Sequence, residues 1–447
     1  MKRDDHLNML DDLVRNAKRA GADAADAIAI TGQSLSVDWR GGALEQIERS
    51  EGFDIGLRVI IGEKQAGAST SDQSPQSLAA LVERVMAMAN AVPVDPTAGL
   101  ADASQLAADW PDLDLEDGEE PAEATISARA AQAEAAMLAV DGVSANSDGA
   151  GAGWGRAEVA VVASNGFSAQ YARTSSSVTA VALAGDGLEM ETRHYGHSAV
   201  HASDLDDVEE IGREAADRAV RSLGARKVES QQVPIIFDRR VSASLIGHLA
   251  AAANGQSIAR GTSFLLESLG ERVFRQGVSI IDDPRRNRGL ASKPFDGEGL
   301  ACERIDLVDD GVLQCWLLNL ASARQLGLES NGRATRSIGS APGIGTTNLY
   351  MQPGSDTPEA LVSGIKQGLL VTGLIGPGVN LVTGTYSRGC TGFWIENGEI
   401  AYPVSEITIA GTLPEMFASA IPADDLEFRG GTNAPSMLIE GMTVAGA

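Results

Sequence analysis

Three of the chain's five histidines, His194, His197 and His201, fall within eight residues, and imidazole nitrogen is the usual protein ligand of zinc. A shared metal is the first chemistry such spacing suggests. Gly185, Gly187 and Gly196 disfavour a helix here, so the segment from Leu188 to Ala199 reads as a strand. Neighbouring strand residues alternate faces, which sends His194 and His197 to opposite sides. The expectation is a partly exposed strand edge, not a metal centre.

Cys390 is the second candidate, because Arg388 two residues before it would favour the thiolate. A base would have to be His248, brought up by the fold. The competing reading is a buried small side chain. The run Gly339-Ser340-Ala341-Pro342-Gly343-Ile344-Gly345 has the glycine density of an anion-wrapping loop, but no lysine and no helix start follow it, and it reads as a turn. The phosphate loop G-x-x-x-x-G-K-[ST], the nucleophile elbow G-x-S-x-G and any His-Glu pair are absent from the sequence.

The elements that must position these side chains follow from periodicity. Leu7, Leu10, Leu13, Val14 and Ala17 form a helical stripe ending at Gly21. From Ala27 to Arg58 the apolar residues shift to period two between glycines, as in an antiparallel meander. Helices are predicted at Ser77 to Ala91, Ala124 to Leu138 and Asp204 to Leu223, and strands at Glu158 to Gln170 and Ser175 to Ala184. Between Asp109 and Glu123 the chain carries eight acidic residues and no basic one, which reads as a solvated loop. Gly224 to Glu229 looks like a junction, and a Gly-rich, strand-like half begins at Val233. The predicted class is α+β: an N-terminal antiparallel sheet with flanking helices in residues 1–225, then a β-rich C-terminal domain in 226–447.

Composition limits the function. With 61 acidic against 35 basic residues the net charge is -26, which repels nucleic-acid phosphates and anionic lipid. Direct nucleic-acid or membrane binding is not expected. Three cysteines, Cys302, Cys315 and Cys390, without metal-binding spacing, imply a reducing compartment. No apolar signal region opens the chain and no stretch approaches ~18 apolar residues, so the expected location is the cytoplasm.

Specific motifs appear in the second half. The stretch from Gly368 to Asn380, with Gly376-Pro377-Gly378, is followed by Thr383-Gly384-Thr385-Tyr386-Ser387-Arg388-Gly389 and by Gly392-Phe393-Trp394-Ile395-Glu396-Asn397-Gly398. To these add Pro403 to Gly411, Lys293-Pro294-Phe295-Asp296-Gly297-Glu298-Gly299, and Pro435 to Glu440 near the end. Together they closely resemble the PmbA (TldE) branch of the TldD/PmbA metalloprotease family, with weaker similarity over the rest of the chain.

That resemblance implies a two-subunit protease. A TldD-type subunit binds zinc through an HExxxH helix and a downstream cysteine, while a PmbA-type subunit pairs with it. The complex degrades unfolded peptides and matures a peptide antibiotic, and an older family label is modulator of DNA gyrase. In this chain the metal-helix positions fall on Leu249, Ala250 and Asn254, within a helix expected near 241–255. None of the three can bind zinc or move a proton as the originals do. The cysteine loop is replaced by Glu427 to Asn433. The resemblance therefore implies no catalytic residue and no zinc here, zinc in the partner, an extended or unfolded peptide as substrate, and a subunit able to self-pair when isolated. Two rival readings remain at this stage: a stand-alone hydrolase using the histidine cluster or Cys390, and a homodimeric scaffold or binding protein.

Overall fold

The computed structural model describes residues 3–118, 120–187 and 189–446. Glu119 of the acidic run and Leu188, where the histidine-bearing strand was expected to begin, lie outside the described residues.

Residues up to 199 build one six-stranded antiparallel sheet. Its strands are β1 (Ala24–Arg40), β2 (Ala43–Ile61), β3 (Lys64–Thr70), β4 (Gly149–Ala163), β5 (Ser168–Ala184) and β6 (Glu191–Ala199), in the order β3-β2-β1-β4-β5-β6. The period-two pattern decides which side is covered. Ala25, Ala27 and Ala29 of β1, with Leu35 and Val37 further along, share one buried face. Helices α1 (Arg3–Arg19) and α2 (Pro75–Ala91) cover one end of that face, and α3 (Glu123–Leu138) and α4 (Val208–Arg221) the other. Asp207 caps α4 by accepting from the Glu209 and Glu210 N–H groups at 3.0 Å, which starts this helix four residues later than its apolar period suggests. Gly212 lets α4 lie directly on α3, since a side-chain carbon there would come 2.0 Å from the Ala133 carbonyl.

The second half is β-rich as expected and closes on itself. Strand β7 (Gln231–Phe237) lies parallel to Gln367–Ile375, which continues through Thr385–Glu396 to Glu399–Thr412. On its other side β7 pairs with Met437–Ala445, and that strand also pairs with Glu399–Thr412. Five strands thus form a ring without a free edge there. Helix α5 (Arg239–Ala252) packs against this ring through Leu245, Ile246 and Leu249, all fully buried.

The two halves meet through ions as well as apolar contact. Phe295 and Ile338 pack on Ile28, Val161 and Ala169 of the first sheet. Beside them Asp26 accepts from Arg58 Nε at 2.9 Å and also pairs with Arg336, all three buried from water.

Three sequence expectations need correction. Residues 158–170 are not one strand, because Asn165 and Gly166, with Gly166 at φ +100°, turn the chain between β4 and β5. The helix expected over 241–255 is two: α5 stops at Ala252, and Asn254 caps α6 (Gly255–Ala259). Among its described residues the acidic run has no regular structure before α3 begins at Glu123, yet it is far from free. Leu113 and Leu115 are buried, Glu116 meets Arg156 at 2.7 Å, and Asp114 meets Arg288 at 2.6 Å. It is a strap tied across both halves by arginines distant in sequence.

Candidate functional site

Helix α5 is the element to which the motifs point, and a distinct polar environment surrounds its end, its middle and its start. At its end, Asn254 Oδ1 accepts from the Gln256 N–H at 2.9 Å, so this amide is engaged as a helix cap. Leu249 is fully buried in the core of the second half and Ala250 is 8% exposed. Neither side chain offers a donor. Among the described residues, no three His, Cys, Asp or Glu side chains gather as a metal set. The side chains of Leu249, Ala250 and the engaged amide of Asn254 do not make a zinc ligand set.

Beyond α6 lies a polar cavity of about 250 Å³ between the two halves, lined by Arg58, Gln65, Gln256, Arg260 and Glu298 among others. Glu298 belongs to the Lys293–Gly299 motif, and one of its oxygens accepts from the Leu320 N–H at 2.9 Å. Burial, reinforced by the nearby charge of Asp296, raises its carboxyl to about 7. A carboxyl raised on folding contributes stability at low pH that disappears as pH rises through the folded value. Wild-type protein is therefore expected to weaken between pH 5 and 8, by up to about 3 kcal/mol from this group. Glu298→Gln should flatten that slope and be the more stable form at pH 8, as urea midpoints at the two pH values will read. An unchanged slope in the variant would remove Glu298 as its source.

In the middle of α5, His248 faces the strand Thr385–Glu396. Its ring centroid lies 6.2 Å from that of Tyr386. Among the described residues His248 Nε2 is buried without a hydrogen-bond partner. Burial and then Arg388 push the imidazole below its ordinary range, and burial pushes the Tyr386 phenol up. Cys390 is on the same strand, 1% exposed, and burial alone raises its thiol to about 12. Such burial favours the protonated thiol over a thiolate nucleophile. His248 does approach, as the sequence allowed, but it meets Tyr386.

The histidine cluster disperses. His194 and His197 sit on β6 opposite Val181 and Val178, and His194 is exposed. His197 Nδ1 accepts from the Asp206 N–H at 3.0 Å, and burial lowers its pKa, favouring the neutral ring. His201 lies past the strand, buried, and donates from Nε2 to the Asp114 carbonyl at 3.0 Å. It clamps the acidic strap.

At the start of α5 a cleft of about 300 Å³ opens between β6 and the segment Glu427 to Ala434. Arg218, Arg239, Arg240 and Arg429 line it, with Tyr195 and Glu427. This cleft was not visible in the sequence, because its arginines come from three separated segments.

Comparison with known proteins fits this geometry. Sequence models of the PmbA/TldA metallopeptidase domains match in order: domain 1 at residues 25–89, the central domain at 112–223, and the C-terminal domain at 230–446. The metalloprotease PmbA of Escherichia coli O157:H7 is 36% identical over 427 residues, covering 95% of this chain and 93% of that protein. The chain belongs to the PmbA family of metallopeptidases. A PmbA homolog of Haemophilus influenzae is also 36% identical, across 97% of this chain and 94% of its own length. Among solved structures, a candidate modulator of DNA gyrase from Bacteroides thetaiotaomicron superposes with a TM-score of 0.90 at 25% identity, covering 100% of both chains. TldE from Thermococcus kodakarensis shares the fold at a TM-score of 0.86 and 20% identity, over 98% of this chain and 100% of that one. The first PmbA-family segment and the central one together build the single N-terminal sheet. Among the described residues no helix is long and apolar enough to cross a membrane.

Proposed function

We propose that this chain is the zinc-free subunit of a two-subunit metallopeptidase, working with a zinc-bearing sister of the TldD type in the cytoplasm. One observation carries the reading. The segment that would hold the metal is packed as α5 and the start of α6, while its key positions are Leu249, Ala250 and the α6 cap Asn254. A peptidase site lost in place, on a fold otherwise kept, leaves shaping a shared chamber and holding substrate as the roles for this subunit. Substrates are then unfolded or extended peptides, because a chamber between two subunits admits a strand more readily than a folded domain.

Light scattering on size-exclusion peaks tests the assembly. The chain mixed with its zinc-bearing sister is expected to run as a 1:1 complex, even if the isolated chain pairs with itself. A homodimer that ignores the sister at equimolar concentration would favour the scaffold reading and overturn this one.

A further inference from the structure

The cleft at the start of α5 combines a real cavity with an unusual charge arrangement for so acidic a chain. Four guanidinium groups line it, yet Glu427 is its single lining carboxylate. The other carboxylates that hold these arginines, Glu214 for Arg218, Asp238 for Arg240 and Asp206 for Arg429, do not line the cleft. Asp238 takes one full edge of the Arg240 guanidinium, while Glu214 and Asp206 take one nitrogen each of Arg218 and Arg429. Arg218 bonds through Nε and Nη1, Arg240 through Nε and Nη2, Arg429 through Nε and Nη1, and Arg239 through Nη1. Among the described residues every one of the four therefore keeps at least one nitrogen without a partner.

The arrangement is also held in place. Arg218 lies over the Tyr195 ring at 4.2 Å, and Arg429 approaches the same ring at 6.0 Å. Burial and the like charge of Arg240 both push against protonation of Arg218. Crowded cations with open donors are relieved by an anion, and a planar carboxylate matches the guanidinium fork with two parallel bonds. At about 300 Å³ the cleft is at the small end of ligand sites, sized for the end of a chain more than for a whole peptide. Its wall is β6, the outermost strand of the first sheet, whose outer edge pairs with no other strand among the described residues. An extended peptide can run along such an edge.

We infer that this cleft binds the C-terminal carboxylate of an extended peptide, through Arg218, Arg239, Arg240 and Arg429. The site deepens the peptide-holding role proposed above but needs no sister subunit, so it is tested on the full chain alone and can fail independently of the assembly.

The experiment compares a hexapeptide bearing an N-terminal fluorophore as its free acid and as its C-terminal amide, by fluorescence anisotropy. The free acid is expected to bind about 10- to 100-fold more tightly, the range for hydrogen bonds to a charged group. The difference should shrink at high salt, as for any partly exposed charge pair. Arg240→Gln, together with Arg239→Gln, should abolish the preference with little change in melting temperature, since both side chains are about one-third exposed. Equal affinity of acid and amide in the wild type overturns the inference without recourse to a variant. So does a preference that survives the double substitution, or saturable binding of inorganic phosphate with no binding of the free-acid peptide.

Discussion

Arg333→Ala is expected to cost about 3–5 kcal/mol of stability, the range for breaking a buried ion pair from one side. Arg333 and Asp282 are both fully buried and pair at 2.5 Å between Nε and Oδ2. The guanidinium also donates to the Glu303 carbonyl at 2.6 Å and the Asn331 carbonyl at 2.8 Å. Asp282 Oδ1 accepts from the Thr347 N–H at 2.7 Å. Removing the arginine strands a carboxylate and two backbone carbonyls away from water. Asp282→Asn keeps an acceptor for Thr347 and should lose less. Urea unfolding of both variants checks this, and a loss below about 1 kcal/mol for Arg333→Ala would show that the pair is dispensable.

Asp26→Ala is expected to be comparably severe and to act at the join between the two halves. Its carboxylate lies between Arg58 and Arg336, and without it two buried guanidinium groups face each other with their common partner gone. A loss of about 3–5 kcal/mol is expected, with faster amide exchange in residues 55–61 and 334–338. The pH dependence carries a sign. Burial raises the Asp26 carboxyl, but Arg336 and Arg58 outweigh burial and hold it below the ordinary carboxylate range. A carboxyl lowered on folding contributes stability above its unfolded value, near 4, and loses it as pH falls through the folded one. Wild type should therefore weaken on acidification below about pH 4 where the variant does not. Parallel acid titrations of the two proteins would contradict the assignment.

Much of the fold was legible because local periodicity and global packing agree. Leu10, Leu13, Val14 and Ala17, read as one helical stripe, are all buried on the face of α1 that packs on the sheet. The misread strand at 158–170 carried its own warning in the Asn165-Gly166 pair, a hairpin turn signal set inside alternating apolar residues. Closure of the second sheet was not legible, since it depends on Thr408 to Ala410 meeting Thr443 to Ala445, far apart in the chain.

Legibility of the site divides the same way. The resemblance located α5, and the structure added what surrounds it. The acidic strap looked solvated because its carboxylates are adjacent in sequence, while Arg49, Arg156 and Arg288, which bind them, are not. Glu298 sat in a motif read only as a family mark, and its altered acidity follows from burial that composition cannot express. The arginine cleft needs three segments brought together, so no single stretch of sequence announces it.

The most direct test of the account is peptide hydrolysis, measured for the purified chain alone and with an equimolar zinc-bearing sister under the same supply of zinc. The account predicts no cleavage above background for the chain alone, and cleavage by the mixture that a chelator abolishes. Chelator-sensitive hydrolysis by the chain alone, with one zinc bound per chain, would contradict it.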